Sequence, residues 1–141
     1  MGNGESVAYM RPSEIRYTHD SIQANFRDGT PLESTFHQLV YKKIQVDTLP
    51  MIEVMQYNGY WFVVRGNRRL FLLKKLEEYD QVSTVQVLRK PFDPDVFERQ
   101  FTTNNMGTSV KIRGGIYGTP LELRLNEIWT EYQNSESCTI S

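Results

Sequence analysis

Val63-Val64-Arg65-Gly66-Asn67-Arg68-Arg69-Leu70 is the stretch that decides how this chain folds. A β-rich run ends at a glycine and passes without a linker into a helical pattern. That pattern carries Leu70, Phe71, Leu72, Leu73 and Leu76, apolar enough to be mostly buried. A helix that opens at a glycine leaves unpaired backbone N–H groups at its start, and these donors with the positive end of the dipole attract anions. Gly66 has no Cβ to hold a ligand away from the backbone. Asn67 can bond a ligand or cap the helix, and Arg68 and Arg69 carry planar forks that match phosphate oxygens. Adjacent arginines cannot share a helical face. One is therefore expected to meet the ligand and the other to tie the turn to Asp20, Asp28 or Glu33. The alternative is a solvated arginine pair; the β-rich hairpin before the turn and the apolar helix behind it favour the anion site.

Working outward, residues 51–56 and 60–64 are two β-rich runs joined by Asn58-Gly59, a strong hairpin signal because both positions accept positive φ. Upstream, Ile15-Arg16-Tyr17-Thr18 alternates like a short strand that His19-Asp20-Ser21 breaks. Asp28-Gly29-Thr30-Pro31-Leu32-Glu33 is a helix start, with Thr30 as N-cap, Pro31 at the first helical position and Glu33 closing a capping box. Leu32, Phe36, Leu39 and Val40 then share one face, and the helix should end near Lys43. Asp47-Thr48-Leu49-Pro50 makes a turn. Downstream, residues 82–88 predict a strand, and Asp93-Pro94 starts a short helix enclosing Val96 and Phe97. Residues 104–118 are rich in Asn, Gly, Thr and Ser and predict a long loop carrying Lys111, Arg113 and Gly114-Gly115. Gly118-Thr119-Pro120-Leu121-Glu122 repeats the helix-start device, opening a last helix that runs to about Gln133 with Leu121, Leu125, Ile128 and Trp129 on one face. The expected organisation is a compact α+β core of order β-α-β-β-α-β over residues 13–92. A flexible segment (1–12) precedes it; a C-terminal helical extension (93–133) and a polar tail (134–141) follow.

A chain of 141 residues suits one domain able to bury a core without disulfides or metal. No window approaches the length of a membrane span, and no apolar stretch of a secretory signal is present. The single Cys138 forms no internal disulfide and excludes a zinc site of paired cysteines, which points to a reducing, intracellular setting, cytoplasmic or nuclear. A net charge of −1 argues against coating nucleic acid by bulk electrostatics. The charges are nonetheless uneven: Arg65, Arg68, Arg69, Lys74 and Lys75 occur with no acid among them, while Glu77, Glu78, Asp80, Asp93, Asp95 and Glu98 follow, and local patches of this kind steer anions. Met1-Gly2-Asn3-Gly4-Glu5-Ser6 fits the myristoylation pattern. A polar, disordered start accounts for it better, and one acyl chain at Gly2 would give only reversible membrane binding.

Leu49-Pro50-Met51-Ile52-Glu53-Val54, Tyr60-Trp61-Phe62-Val63-Val64 and Gly66-Asn67-Arg68-Arg69-Leu70-Phe71-Leu72-Leu73 together resemble the core of the ParB/sulfiredoxin-like superfamily. Its members show a proline-preceded strand, a second strand, and then G-x-R-R or G-C-H-R opening a helix. Residues 15–22 and Phe26-Arg27-Asp28-Gly29 fit the family's leading strand and loop more loosely, so the resemblance covers roughly residues 10–90. In sulfiredoxins the cysteine of the turn attacks a peroxiredoxin sulfinic acid after ATP activation. Asn67 and Arg68 stand at the cysteine and histidine positions here, and without a thiolate that reaction is impossible; Cys138 lies too far along the tail to substitute. The ParB branch has G-E-R-R and binds a nucleoside triphosphate at the turn. Gly66, Arg68 and Arg69 match it, while Asn67 in place of the glutamate puts the same hydrolysis in doubt. Other members are nucleases acting on DNA or RNA. The absence of a helix-turn-helix partner makes this chain look like those stand-alone domains.

The resemblance implies a divalent-metal-dependent nuclease acting on DNA. Arg68 and Arg69 would stabilise the scissile phosphate and Gly66, Asn67 and Arg65 would seat it, with Lys111 and Arg113 reaching the backbone. His19 or Asp20 would handle water or metal. Mg or Mn is the expected ion, with Asp20 and Glu33 as ligands and Asp28 and Glu53 as further acids near the cleft. Asp28 and Glu33 have competing capping roles, and Asp20 can equally cap its own turn. No H-x-x-x-H pair exists, and His37 beside Phe36 is expected to be structural. Tyr57, Tyr60, Trp61 and Phe62 could stack on bases, although strand alternation should send two of them into the core. Two other outcomes stay open: an ATP- or CTP-binding or -hydrolysing domain using the same turn, and an inactive interaction module.

Overall fold

The structure is a computed structural model that describes residues 4–114 and 120–139, with side chains to Ser135. The myristoylation pattern at Gly2, the Gly115 end of the glycine pair, the Gly118-Thr119 end of the second helix start and the Cys138 side chain lie outside the described residues. Among the described residues the fold is mixed α+β. In chain order the elements are β1 (Ser6–Met10), β2 (Ile15–Tyr17), β3 (Ser21–Gln23), α1 (Leu32–Val40), β4 (Ile52–Tyr57), β5 (Tyr60–Arg65), α2 (Asn67–Glu78), β6 (Val85–Lys90), α3 (Pro94–Gln100), β7 (Lys111–Arg113) and α4 (Leu121–Thr139). Short 3-10 turns sit at Pro12–Glu14 and Val46–Thr48. The chain divides into two units, one of Met1–Ile22 with Asp47–Lys111 and one of Gln23–Val46 with Ile112–Ser141.

The first unit is built on a five-stranded mixed sheet of order β1-β6-β4-β5-β2. The hairpin β4–β5 forms as its turn residues dictate, with Asn58 at φ 56° and Gly59 at φ 82° and Tyr57 opposite Tyr60. β6 runs parallel to β4, and β2 parallel to β5. Met55, Phe62 and Val64 point to one face and meet Phe97 of α3, with Phe101 and Met106 closing that cluster. Val54 and Val63 alternate with them and are fully buried on the opposite face. Helix α2 lies against β2 and β5, burying Leu70, Phe71, Leu72, Leu73 and Leu76 as its pattern predicts. Its later half is tied to the Pro12–Glu14 turn, where the Ser13 N–H and hydroxyl donate to the Glu77 carboxylate at 2.7 and 2.9 Å. α3 starts as expected, with the Asp93 side chain accepting from the Asp95 and Val96 N–H groups.

Three expectations are corrected along this part of the chain. Residues 6–10, expected to be loose, form the edge strand β1, because an antiparallel register with β6 puts Met10 opposite Val85 and Ala8 opposite Val87. The strand predicted over 82–88 is Val85–Lys90, since the turn after α2 consumes the chain first: Asp80 takes φ 58° and the Gln81 N–H donates to the Leu76 carbonyl at 2.8 Å. Residues 102–110 form a loop, as expected for 104–110, and its part 102–107 covers the edge of β2. Tyr17 N–H donates to Gly107 O at 3.0 Å, Thr102 and Thr103 N–H both donate to Thr18 O at 2.9 Å, and Arg16 donates to Met106 O at 3.1 Å. Gly107 is needed there: at φ 72°, a Cβ would stand 2.1 Å from the Tyr17 carbonyl oxygen. Finally, residues 111–113 of the predicted loop form β7, paired with β3 in a separate two-stranded sheet.

In the second unit α1 packs on α4. Leu32, Phe36, Leu39 and Val40 form the predicted apolar face and are buried, as are Leu121, Leu125 and Ile128. The capping box does not form. α1 begins at Leu32 with Pro31 as N-cap and no side-chain cap; Asp28 instead accepts from the Thr30 N–H at 2.9 Å, and that bond, the first of its causes, holds the Asp28 carboxyl below its usual pKa. Glu33 is drawn away by Arg124, whose Nε donates to it at 2.8 Å and whose pKa is raised chiefly by that bond. The His37 ring is stacked on Tyr41 at 4.4 Å. α4 runs to Thr139, past the expected stop at Gln133, because residues 134–139 contain no glycine or proline to break it.

Candidate functional site

The site is built where β5 runs into α2. Gly66 is the N-cap of α2 in the left-handed region, φ 111°, which a residue with a Cβ adopts only under strain. It offers no capping side chain, so the first N–H donors of α2 depend on other partners. Its missing Cβ also answers a packing demand, since a Cβ would meet Ile52 Cγ2 at 2.7 Å and Arg69 Cζ at 3.2 Å. The close approach that glycine permits is therefore made by Ile52 and Arg69 and not reserved for a ligand.

Asn67 was expected to seat a phosphate. It is 5% exposed and turned into the fold. Its Oδ1 accepts from Thr18 N–H at 3.1 Å and His19 N–H at 3.3 Å, and its Nδ2 donates to Thr18 Oγ1 at 3.1 Å. Thr18 Oγ1 in turn donates to the Val63 carbonyl at 2.7 Å. One amide thus joins the end of β2 to the start of α2, and Thr18 joins both to β5. The physical cause is that the chain leaving β2 needs partners for its N–H groups inside the fold, and an amide supplies acceptor and donor together.

The arginines divide their work differently from expectation. Arg69 ties the turn down, but to backbone carbonyls: it donates to Pro50 O and, at 3.2 Å, to Met51 O. Asp20, Asp28 and Glu33 are engaged elsewhere. Burial, and then Arg65, push the pKa of Arg69 down; Glu53 acts in the other direction and Arg68 lowers it further. Arg65, Arg68 and Glu53 are thus each within electrostatic reach of Arg69. Arg65 is the most exposed, 73% by its side chain, and its NH1 lies 3.6 Å from Glu53. Glu53 is shared with Lys90 at 3.3 Å. Arg68 is half-buried at the first turn of α2.

His19 is joined to this turn by its backbone N–H, which donates to Asn67 Oδ1. His19 Nε2 lies 2.8 Å from Gln100 Oε1 at the end of α3. Asp20 is exposed, yet its groups are engaged: Thr102 Oγ1 accepts from its N–H at 3.0 Å and donates to its Oδ1 at 3.3 Å, and its carbonyl accepts from Lys111 N–H at 3.0 Å. Lys111 is exposed. Arg113 and Glu33 belong to the second unit, Glu33 with Arg124 and Arg113 with its carbonyl accepting from Ala24. Among the described residues no three His, Cys, Asp or Glu side chains converge to hold a metal. Of the aromatics, Phe62 is in the core and Tyr57 packs over it, with Phe97 and Phe101 around them. Tyr60 and Trp61 are covered by arginines, Arg16 at 3.7 Å and Arg89 at 4.6 Å from the ring centres.

Three contributors escaped the sequence. Thr18 and Gln100 act through partners 45 or more residues away, a separation no local pattern signals. Lys74 on α2 lies over the Tyr17 ring at 4.5 Å, and burial first, with Arg16 adding to it against Glu77, lowers its pKa to about 8. Its place in a run of cations concealed that it is a cation in an apolar setting.

No known family model matches the chain, and no curated protein is similar enough to match it.

Proposed function

We propose that this chain is a phosphate-binding domain of the ParB/sulfiredoxin-like kind and that its ligand is the backbone of DNA, taken by Arg65 and Arg68 at the start of α2. The observation that carries this is the arginine cluster. Arg65 and Arg68 both repel Arg69, and Glu53, the acid 3.6 Å from Arg65, is already shared with Lys90. A phosphate entering such a cluster relieves that repulsion and gains the helix N-terminus at the same point. Arg69 is the positioning residue, fixing the turn to the chain that enters β4. The order of a proline-preceded strand, a hairpin, a glycine turn and a buried helix supports the resemblance.

Phosphodiester cleavage aided by Mg or Mn is the reaction the resemblance implies. The residues named for the ion do not fit one: Asp20 bonds Thr102, Glu33 pairs with Arg124, and Glu53 is held by two cations. What the chain itself supplies is charge for the phosphate and a histidine held beside the turn by Asn67 and Gln100.

A nucleotide is the second reading, favoured by the compactness of the cluster, which surrounds one helix start and suits one polyphosphate of ATP or CTP. The decisive experiment measures binding of labelled duplex DNA by fluorescence anisotropy across a salt series, alongside plasmid incubated with Mg, Mn or EDTA. Salt-sensitive binding lost in Arg65→Ala plus Arg68→Ala supports the proposal. Binding equal in that variant overturns it. A thermal shift with ATP or CTP and none with DNA moves the assignment to nucleotide, and silence in every arm leaves an interaction module.

A further inference from the structure

The five-stranded sheet has two edges, and they are treated differently. The β2 edge is sealed by residues 102–107. β1 is the terminal strand on the other side, and among the described residues no strand pairs with its outer edge. A bare edge of this kind is a template for another strand. On it, Val7 and Tyr9 are 54% and 67% exposed, and two residues apart they share one face.

The sequence of this edge is self-complementary. Two copies of Glu5-Ser6-Val7-Ala8-Tyr9-Met10-Arg11, laid antiparallel about Ala8, place each Val7 opposite the Tyr9 of the second copy and each Glu5 opposite its Arg11. Valine against tyrosine is a favourable cross-strand pair, and the charges attract at both ends. Sliding the register two residues either way separates Glu5 from Arg11 at both ends, because the two ends are equivalent by symmetry. Glu5 lies just before the strand, its carboxylate 3.8 Å from Lys90 of the neighbouring strand β6. We infer that β1 pairs with β1 of a second copy of this chain, joining two five-stranded sheets across a two-fold axis at Ala8. The interface is isologous, so each favourable contact occurs twice.

The test uses the full chain in analytical ultracentrifugation over a wide range of concentration. Wild type is expected at twice the mass of one chain. Arg11→Glu and Glu5→Arg each place like charges opposite one another at both ends and should weaken the dimer by about tenfold; the double exchange Glu5→Arg with Arg11→Glu should restore it. The register is read independently by Ala8→Cys with Cys138→Ser, since only pairing about Ala8 sets two such cysteines opposite each other at a separation a disulfide can span. That variant should oxidise to a linked dimer. Circular dichroism checks each fold, and if a charge reversal fails to fold, the cysteine variant decides. A monomer at every concentration, a dimer indifferent to both single reversals, or an Ala8→Cys chain that stays unlinked overturns the inference.

Discussion

Asn67 and Thr18 hold each other by two hydrogen bonds, the Asn67 Oδ1 accepting from Thr18 N–H and its Nδ2 donating to Thr18 Oγ1, both at 3.1 Å. Both residues are buried, Thr18 completely. The pair fastens the turn that carries the arginines to the chain leaving β2, just before His19. Removing either side chain strands buried polar groups, and leaving one such group unmet costs about 1–3 kcal/mol. Asn67→Leu and Thr18→Val are each expected to lower unfolding free energy by that order, and the double variant by less than the sum, because they share one network. Urea denaturation of the four chains checks this. Additive losses would show that the two residues act separately.

Glycine positions 66 and 107 should differ in severity. Gly66→Ala adds a strained φ and a contact with the Ile52 side chain, not with backbone, at an expected cost of about 1–3 kcal/mol. Gly107→Ala drives a Cβ into the backbone of Tyr17, which cannot move without breaking β2 from β5. Its cost should exceed about 3 kcal/mol, with amide exchange at Tyr17 accelerated first. Equal melting temperatures for the two variants would contradict this ordering.

The arginines should separate by role. Arg65→Ala is expected to leave stability nearly unchanged, its side chain being 73% exposed, and Arg65→Ala and Arg68→Ala are each expected to reduce the salt slope of DNA binding by about one. Arg69→Ala should lower stability as well as binding, because Pro50 O and Met51 O lose their donor. Thermal melts beside the binding series make the distinction; an Arg69→Ala chain as stable as wild type would remove it from the positioning role.

Lys74 makes stability depend on alkaline pH. Its pKa in the fold is about 8 against an ordinary 10.5. Below about 8 the amine is charged in both states and the fold bears the full cost of burying that charge. Between about 8 and 10.5 the unfolded chain binds more protons than the folded one, so this contribution to stability rises with pH. Lys74→Met should therefore gain most over wild type near neutral pH, with the gain shrinking through that window. Chemical denaturation of both chains at stepped pH measures it, and a difference independent of pH would exclude a shifted amine.

The hairpin, the glycine start of α2, the apolar faces of α1 and α2 and the Asp93 cap were legible in the sequence because each rests on residues within a turn or two of one another, where backbone preference and periodicity act. A basic turn at residues 65–69 was legible for the same reason. What each of its side chains does was decided by tertiary structure. Asn67 serves the fold because its partner Thr18 arrives from 49 residues away, and Arg69 is tied down by carbonyls that carry no charge for a pattern to reveal. Glu33, free to cap its own helix in the sequence, is captured by Arg124 across 91 residues. β1 has no strong local signal and becomes a strand because β6 offers it a register. Local sequence fixes where the backbone turns and which residues are cations; only long-range hydrogen bonding and burial select which of them are held by the fold.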